Sequence, residues 1–186
     1  MAFEYELKKR GIESIREIVS IGDNFKANDY DFVFFGGGQD YEQAIVKKDL
    51  ITKKDELKNF IENDGLFLAI CGGFQLLGKY YYSASGEKIE GLNIFDHYTL
   101  NQDTNDRFTG EIKIKVERFN EVCEGFENHG GRTFLAEGQK PFGKVIEGNG
   151  NNGEDGTEGF IYKNTIGTYL HLSLIHISEP TRPRLI

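Results

Sequence analysis

Cysteine is scarce in this sequence. The 186 residues include only Cys71 and Cys123, which are too few and too widely spaced for a disulfide framework. Four histidines, at positions 97, 129, 171 and 176, show no pairing with cysteine or carboxylate at the spacing of zinc ligands. We therefore predict a protein of a reducing compartment that holds no metal ion and no other cofactor.

Long apolar runs and an excess of basic charge are also missing. No segment approaches the roughly 20 apolar residues that span a bilayer, and the first residues form no apolar signal-peptide core. Thirty acidic residues against 22 basic ones give a net charge of −8, which disfavours the broad basic surface that nucleic-acid phosphates require. We expect a cytoplasmic, single-domain protein that neither inserts into a membrane nor binds nucleic acid.

A β-branched and aromatic run and an unbroken apolar segment predict buried parallel strands. The first, DYDFVFF at 29–35, ends at three glycines, and the second, LFLAI at 66–70, ends at Cys71. A predicted helix with Thr52 as its N-cap runs to about Asn63 and connects them. Strands joined by a crossover helix favour a doubly wound α/β fold, in which helices flank a parallel sheet.

The rest of the sequence predicts one further helical segment and several shorter elements. A helical segment, GFQLLGKYY at 73–81, follows the second strand. Strict alternation in TGEIKIKV, at 109–116, predicts an antiparallel or edge strand. Turn-forming and acidic residues at 148–159 predict an exposed loop, with strands near 159–162 and 166–170 after it.

Cys71 lies where the second predicted strand turns into a helix. At such a turn a nucleophile projects above the sheet edge, and the helix N-terminus favours its thiolate. Gly72 and Gly73 permit the turn and leave the N–H after the nucleophile free to bind an oxyanion. A buried structural cysteine is the alternative interpretation, and we adopt it for Cys123, which has no such turn.

His171 is the candidate partner of Cys71. It follows the apolar sequence GTYL and so lies at the carboxyl end of a predicted strand, the edge that lines the ligand crevice in open α/β sheets. A thiolate that attacks a carboxamide needs a group to protonate the departing ammonia, and histidine titrates in the right range. The alternative is a histidine that only caps the strand.

The glycines after the first predicted strand form the third part of the candidate site. The loop of a neighbouring strand supplies a second oxyanion donor in enzymes with a nucleophile elbow. We assign this contact to the backbone of Gly37 and Gly38, together with that of Gly72. An ordinary flexible turn is the alternative.

Five ordered motifs resemble those of one family. They are FFGGGQDYEQA at 34–44, AICGGFQLLGKYY at 69–81, GFENHGGRT at 125–133, GNGNNGEDGTEGFIYKN at 148–164 and GTYLH at 167–171. Together they identify the chain as a member of the CobB/CobQ-like class I glutamine amidotransferases, and they resemble most the subunits that serve lipid II isoglutaminyl synthases. The resemblance implies a three-layer, flavodoxin-like fold. It also implies glutamine hydrolysis that supplies ammonia to a Mur-ligase-like synthase subunit, in a heterodimer that amidates D-glutamate of lipid II.

The resemblance also implies roles for individual residues. Cys71 is the expected nucleophile, His171 is its catalytic partner, and Arg107 is expected to bind the glutamine substrate. A guanidinium can pair with the α-carboxylate through two parallel hydrogen bonds, although a solvated loop arginine is the alternative. Residues 126–132 resemble a family segment near the site, but the sequence assigns them no chemical role.

The sequence departs from the family pattern in three places. Many class I amidotransferases place a glutamate two residues after the histidine, and here that position is Ser173. The resemblance implies that the family's first strand precedes residue 1, so that residues 1–171 form an amidotransferase domain incomplete at its N-terminus. We interpret residues 172–186, LSLIHISEPTRPRLI, as translated sequencing adapter outside the domain, and we assign no function to His176.

Two other functions are compatible with the sequence. One is an amidotransferase that serves another acid such as cobyrinate, and the other is a docking subunit without catalytic activity. The presence of Cys71, His171 and Arg107 disfavours the docking subunit. Copurification with a Mur-ligase-like protein rather than a corrinoid synthase would distinguish the two amidotransferases.

Overall fold

The computed structural model describes residues 2–37, 40–83, 85–101 and 106–171. The helices in these residues are α1 (Ala2–Lys9), α2 (Asp40–Glu62) and α3 (Gly72–Leu77). None of these described helices is long and apolar enough to cross a membrane. The strands are β1 (Phe32–Phe35), β2 (Leu66–Ile70), β3 (Tyr80–Tyr82), β4 (Lys88–Glu90), β5 (Tyr98–Asn101), β6 (Phe108–Val116), β7 (Glu121–His129), β8 (Gly131–Phe134), β9 (Gly143–Glu147), β10 (Thr157–Glu158), β11 (Phe160–Tyr162) and β12 (Thr165–Thr168).

The main sheet has the strand order β1-β2-β12-β11. Strands β1 and β12 both run parallel to β2, whereas β11 pairs antiparallel with β12. The apolar composition of β2 explains its central place, because Phe67 and Ala69 are fully buried there. Since parallel neighbours share their carboxyl edge, the residues that follow β1, β2 and β12 come to the same side of the sheet.

Helix α2 contributes an apolar face to the main core. Leu57, Phe60 and Ile61 are each at most 5% exposed and belong to the same buried cluster as Phe67 of β2. Burial of one such side chain stabilises the fold by roughly 1.5–3 kcal/mol. These three residues form the face by which α2 packs on the main sheet.

Two further sheets surround the main one, with the orders β10-β9-β6-β7 and β4-β3-β5-β8. Strand β6 pairs antiparallel with β7 over nine residues and with β9 on its other side. Its alternating sequence places Ile112, Ile114 and Val116 in a buried cluster with Leu170. This contact brings the second sheet against the segment that follows β12.

The predicted α/β class is confirmed, and so are the strands at LFLAI and TGEIKIKV.

The predicted cap at Thr52 was wrong, because α2 begins at Asp40 and the Thr52 hydroxyl donates to a carbonyl within the same helix. The predicted helix over 73–81 was too long. It ends at Leu77, and the β-favouring tyrosines of β3 pair with β4 and β5 instead. Residues 172–186 lie outside the described residues.

Candidate active site

Cys71 lies between β2 and α3 in a backbone conformation that residues other than glycine rarely adopt. Its φ is 51° and its ψ is −109°. The Cys71 N–H donates to the carbonyl of Thr168 at 2.9 Å, and its own carbonyl accepts the N–H of Gln75 at 3.0 Å. The thiol is partly exposed and forms no disulfide. This geometry is that of a nucleophile elbow, which presents a side chain above the carboxyl edge of a sheet.

Two glycines let the loop after β1 approach this elbow. A Cβ on Gly73 would lie 2.5 Å from the carbonyl oxygen of Phe35. A Cβ on Gly37 would lie 3.2 Å from the Cβ of Cys71 and 3.4 Å from the backbone nitrogen of Gly72. The structure therefore brings the backbone of Gly37 beside the Cys71–Gly72 peptide, as an oxyanion site with donors from two loops requires.

His171 follows β12 and lies against β7. Its N–H donates to the carbonyl of Phe126 at 2.8 Å, and its carbonyl accepts the N–H of Phe126 at 3.0 Å. The Nε2 atom is buried and has no hydrogen-bond partner among the described residues. Burial holds the pKa of His171 below its ordinary value, so the ring is neutral near pH 7 and can accept a proton. Because β12 lies next to β2, His171 leaves the same sheet edge as Cys71.

A buried polar layer lies behind the elbow and is centred on Tyr169. Its hydroxyl lies 2.6 Å from the hydroxyl of Thr133 and accepts the amide of Gln75 at 3.0 Å. Its ring stacks on His129 with the centroids 3.6 Å apart. Since Gln75 belongs to α3 and Thr133 to β8, this layer connects the elbow helix to the third sheet.

Arg107 precedes β6 and is exposed. Its Nε and Nη2 donate to the side-chain oxygen of Asn128 at 3.1 and 2.9 Å, and Nη2 also donates to the Asn128 carbonyl at 3.1 Å. Asn128 and Phe126 are two residues apart on β7, so Arg107 and His171 contact this strand roughly 7 Å apart. The pKa of His129 is lowered to about 4, chiefly by burial. Arg107 and His171 lie close enough to His129 to contribute to this shift.

Two buried carboxylates lie behind the site, on Glu127 of β7 and Glu158 of β10. Glu127 accepts the backbone N–H groups of Asn149 and Gly150 at 2.9 and 3.0 Å. These bonds draw the 148–159 loop inward, so the prediction that it is exposed was only partly right. Its middle residues 150–152 are buried. Among the described residues, no group of three or more His, Cys, Asp or Glu side chains could hold a metal ion.

The sequence matches a known family over nearly its whole length. The CobB/CobQ-like glutamine amidotransferase domain matches residues 3–177. The chain belongs to this family. The amidotransferase is 56% identical over 186 residues to the GatD subunit of a lipid II isoglutaminyl synthase (glutamine-hydrolyzing) from Streptococcus pneumoniae, covering 100% of this chain and 71% of that protein.

Two further relatives are less similar to this chain. The corresponding subunit of Staphylococcus aureus is 43% identical over 171 residues, which cover 92% of this chain and 68% of that protein. A cobyric acid synthase of Listeria innocua is 34% identical over 150 residues, which cover 76% of this chain but only 28% of that protein. The family that the motifs indicated is thus confirmed.

Solved structures share the fold. The structure of PurLQS from Thermotoga maritima aligns with a TM-score of 0.65 at 18% identity, covering 91% of this chain and 80% of that one. A crystal structure of a glutamine amidotransferase aligns with a TM-score of 0.62 at 16% identity, covering 91% of this chain and 83% of that one. At these identities the likeness supports the fold alone.

The amidotransferase places the predicted site residues on neighbouring elements. Gly37, Cys71 and Gly72 meet at the elbow, His171 follows the adjacent strand, and Arg107 is held by Asn128 of β7. Gly38 lies outside the described residues. Cys123 lies on β7, where burial raises the pKa of its thiol, which fits the structural role predicted for it.

Sequence reasoning missed the buried polar residues behind the site. Glu127 and His129 occupy the inward positions of β7, in line with Gly125, and this period of two was a usable signal. Glu158 and Tyr169 gave no such signal. Glu158 stands in an acidic, glycine-rich stretch that resembles an exposed loop, and Tyr169 in an apolar run.

Proposed function

We propose that this amidotransferase hydrolyses glutamine through Cys71 and His171 and supplies the ammonia to a Mur-ligase-like synthase subunit. In this proposal the two proteins form a heterodimer. The synthase subunit uses the ammonia to amidate D-glutamate of lipid II during peptidoglycan synthesis.

The strained elbow at Cys71, at the sheet edge from which His171 also follows, carries the proposal. A non-glycine residue in a sparsely populated backbone region costs of order 1–3 kcal/mol and persists only where its surroundings fix it. Here the φ of Cys71 is 51°, and its N–H is held by the strand that leads to His171. Such strain is concentrated at active sites, where it presents a reacting group.

In the proposed reaction the sulfur of Cys71 attacks the side-chain carboxamide carbon of glutamine while His171 takes the thiol proton. The carbon–nitrogen bond then breaks, and His171 gives that proton to the leaving nitrogen, which departs as ammonia. The glutamyl thioester that remains is hydrolysed by a water that His171 deprotonates, giving glutamate and the free thiol. The backbone N–H groups of Gly37, Gly38 and Gly72 are the proposed oxyanion donors in both halves.

Arg107 is proposed to hold the α-carboxylate of glutamine. Asn128 binds its Nε and Nη2, which fixes the plane of the guanidinium. Since Asn128 takes the N–H groups of Nε and Nη2, the N–H groups of Nη1 are the ones proposed to donate to the carboxylate. The site then binds free glutamine rather than a glutamine within a peptide.

Labelling with a glutamine analogue that carries a diazoketone tests the nucleophile. Peptide mass spectrometry should find the adduct at Cys71, and Cys71→Ser should abolish it. Cys123→Ser is the matched control and should be labelled as the wild type is. An adduct at Cys123 would contradict the proposal.

The acceptor is proposed from the relatives. The lipid II synthase subunits are 56% and 43% identical and align over about two thirds or more of their length, whereas the cobyric acid synthase aligns over 28% of its length. Amidation of cobyrinate is therefore the second candidate. Glutamine with a heavy-nitrogen amide, supplied to this protein with each candidate synthase and acceptor, distinguishes them. Transfer of the label to lipid II is expected, and transfer to the corrinoid alone would contradict the proposed acceptor.

A further inference from the structure

One buried carboxylate has no part in the proposed chemistry. Glu158 ends β10 and is fully buried. Its Oε1 accepts the backbone N–H of Tyr169 at 2.6 Å, and each of its oxygens lies 3.0 Å from the hydroxyl of Thr168. Both donors belong to the segment that leaves β12 and leads to His171.

The hydroxyl of Thr168 extends this contact by one more residue. It accepts the backbone N–H of Leu170 at 3.0 Å while it donates to Glu158. Residues 168–170 are thus tied to one carboxylate, either directly or through a single hydroxyl. When Glu158 is ionised, its hydrogen bonds are roughly twice as strong as those to a neutral acceptor, and linked bonds strengthen one another.

The same segment spans the distance between the nucleophile and the base. At one end the carbonyl of Thr168 accepts the N–H of Cys71 at 2.9 Å. At the other end the backbone of His171 pairs with Phe126. The path of residues 168–170 therefore determines where the ring of His171 lies relative to the sulfur of Cys71.

Burying a carboxylate at this position has a large cost in free energy. Removing it from water costs several kcal/mol even after the protein relaxes. Burial raises the pKa of Glu158 to about 7, the nearby charge of Glu127 adds to the rise, and hydrogen bonds from residues 168–170 oppose it. Cys123 on β7 is close enough for the charge of Glu158 to act on its thiol. An apolar side chain would fill this space at lower cost, so the acceptor geometry is what the carboxylate provides.

We propose that Glu158 is a positioning residue for glutamine hydrolysis. It fixes the backbone of residues 168–170 and thereby holds His171 at the distance from Cys71 that proton transfer requires. This inference rests on the proposed function, since it takes His171 as the base.

The test compares Glu158→Gln with Glu154→Gln in the intact protein. Glutamine keeps the size of the side chain but removes the charge and turns one acceptor oxygen into an NH2 donor, so the Thr168 hydroxyl loses one of its two acceptors and the remaining bonds to Oε1 are no longer charge-assisted. Glu154 lies in the same acidic stretch and is exposed, which makes its variant the matched control. Steady-state glutaminase kinetics and a thermal melt are measured for each protein.

Positioning and simple stabilisation predict different results. If Glu158 positions His171, kcat of Glu158→Gln falls by roughly tenfold to a hundredfold, the scale for a reacting group displaced by about 1 Å. KM changes by less than about threefold, because the substrate contacts are untouched. Glu154→Gln keeps both constants. A lower melting temperature with kcat within about threefold of the wild type would overturn the proposal.

Thr168 supplies a second pair of variants should Glu158→Gln fail to fold. Thr168→Val removes the hydroxyl at nearly constant shape and breaks the link from Leu170 to Glu158, whereas Thr168→Ser keeps it. We expect kcat to fall by about fivefold or more in the valine variant, on the same positioning argument. The serine variant should recover most of that loss. Equal kcat values in the two variants would overturn the proposal.

His171→Ala separates failure of this inference from failure of the proposed function. Loss of activity in His171→Ala together with normal kcat in Glu158→Gln removes the positioning role alone. Activity that survives in His171→Ala removes the base, and the positioning role with it.

Discussion

Gly73→Ala tests the elbow geometry most directly, because the structure has no space for the added methyl group. The new Cβ would lie 2.5 Å from the carbonyl oxygen of Phe35, 3.1 Å from its carbonyl carbon and 3.0 Å from the carbonyl oxygen of Gly36. All three are backbone atoms, so no rotation of a side chain relieves the clash. Close carbon–oxygen contacts lie at roughly 3.3–3.6 Å. The loop after β1 and helix α3 must therefore separate by about 1 Å.

That displacement sets the size of the expected effect. Overpacking of this kind destabilises a fold by roughly 1–3 kcal/mol. A shift of about 1 Å in the groups around a reacting centre costs about a hundredfold in rate. We therefore expect kcat/KM for glutamine hydrolysis to fall by roughly tenfold to a hundredfold, although Cys71 and His171 are unchanged.

Ammonia release and a thermal melt followed by circular dichroism measure the two effects. Gly36→Ala is the matched control, because its Cβ would approach only the Phe34 ring, at 3.4 Å, and that side chain is partly exposed and can move. The control should behave as the wild type. If Gly73→Ala keeps kcat/KM within about threefold and melts at the wild-type temperature, the close approach of the loop to the elbow is wrong.

His171→Ala should slow glutamine hydrolysis by roughly two to four decades, the scale for a lost acid–base group, and a loss below about threefold would make His171 structural. Arg107→Ala should cost roughly 2–5 kcal/mol in kcat/KM, and lysine should rescue it only partly. The wild type should discriminate strongly against a glutamine analogue with a neutral α-amide, whereas equal discrimination by the alanine variant would remove Arg107 from the site. Burial lowers the pKa of His97 to about 4, so its contribution to stability is present above pH 6.5 and is lost, by roughly 3 kcal/mol, as the pH falls towards 4. Urea unfolding of His97→Gln should show less of this acid dependence, and equal slopes in the two proteins would contradict a buried neutral ring.

The fold could be predicted where burial and local chemistry agree. Every residue of LFLAI is apolar, and glycines follow Cys71, so both the strand and the turn after it were visible in the sequence. Thr52 shows where such reasoning fails. Its hydroxyl donates to the carbonyl of Asp49, three residues earlier in the same helix, and a threonine inside a helix looks in sequence like one at its cap.

The site could be predicted only in part, for a related reason. Cys71 and His171 follow strands whose apolar sequences reveal them, whereas Arg107 lies in a polar stretch and was proposed from the family resemblance alone. Glu158 could not be found, because its burial depends on contacts with residues 168–170 that only the folded chain creates. A two-residue strand such as β10 has no periodicity to detect.

The site is assembled from two sheets, and this division has a consequence for its stability. The strained turn at Cys71 is held within the main sheet, by the carbonyl of Thr168. Glu158 belongs to β10 of the second sheet, β10-β9-β6-β7, and Arg107 directly precedes β6 of that sheet. His171 pairs with Phe126 of the same sheet. Local opening of this second sheet would therefore release the proposed base and the proposed substrate arginine together while Cys71 keeps its place. In the proposed function glutamine would contact both sheets, so its binding should protect the amide protons of β7 from exchange more than those of β2.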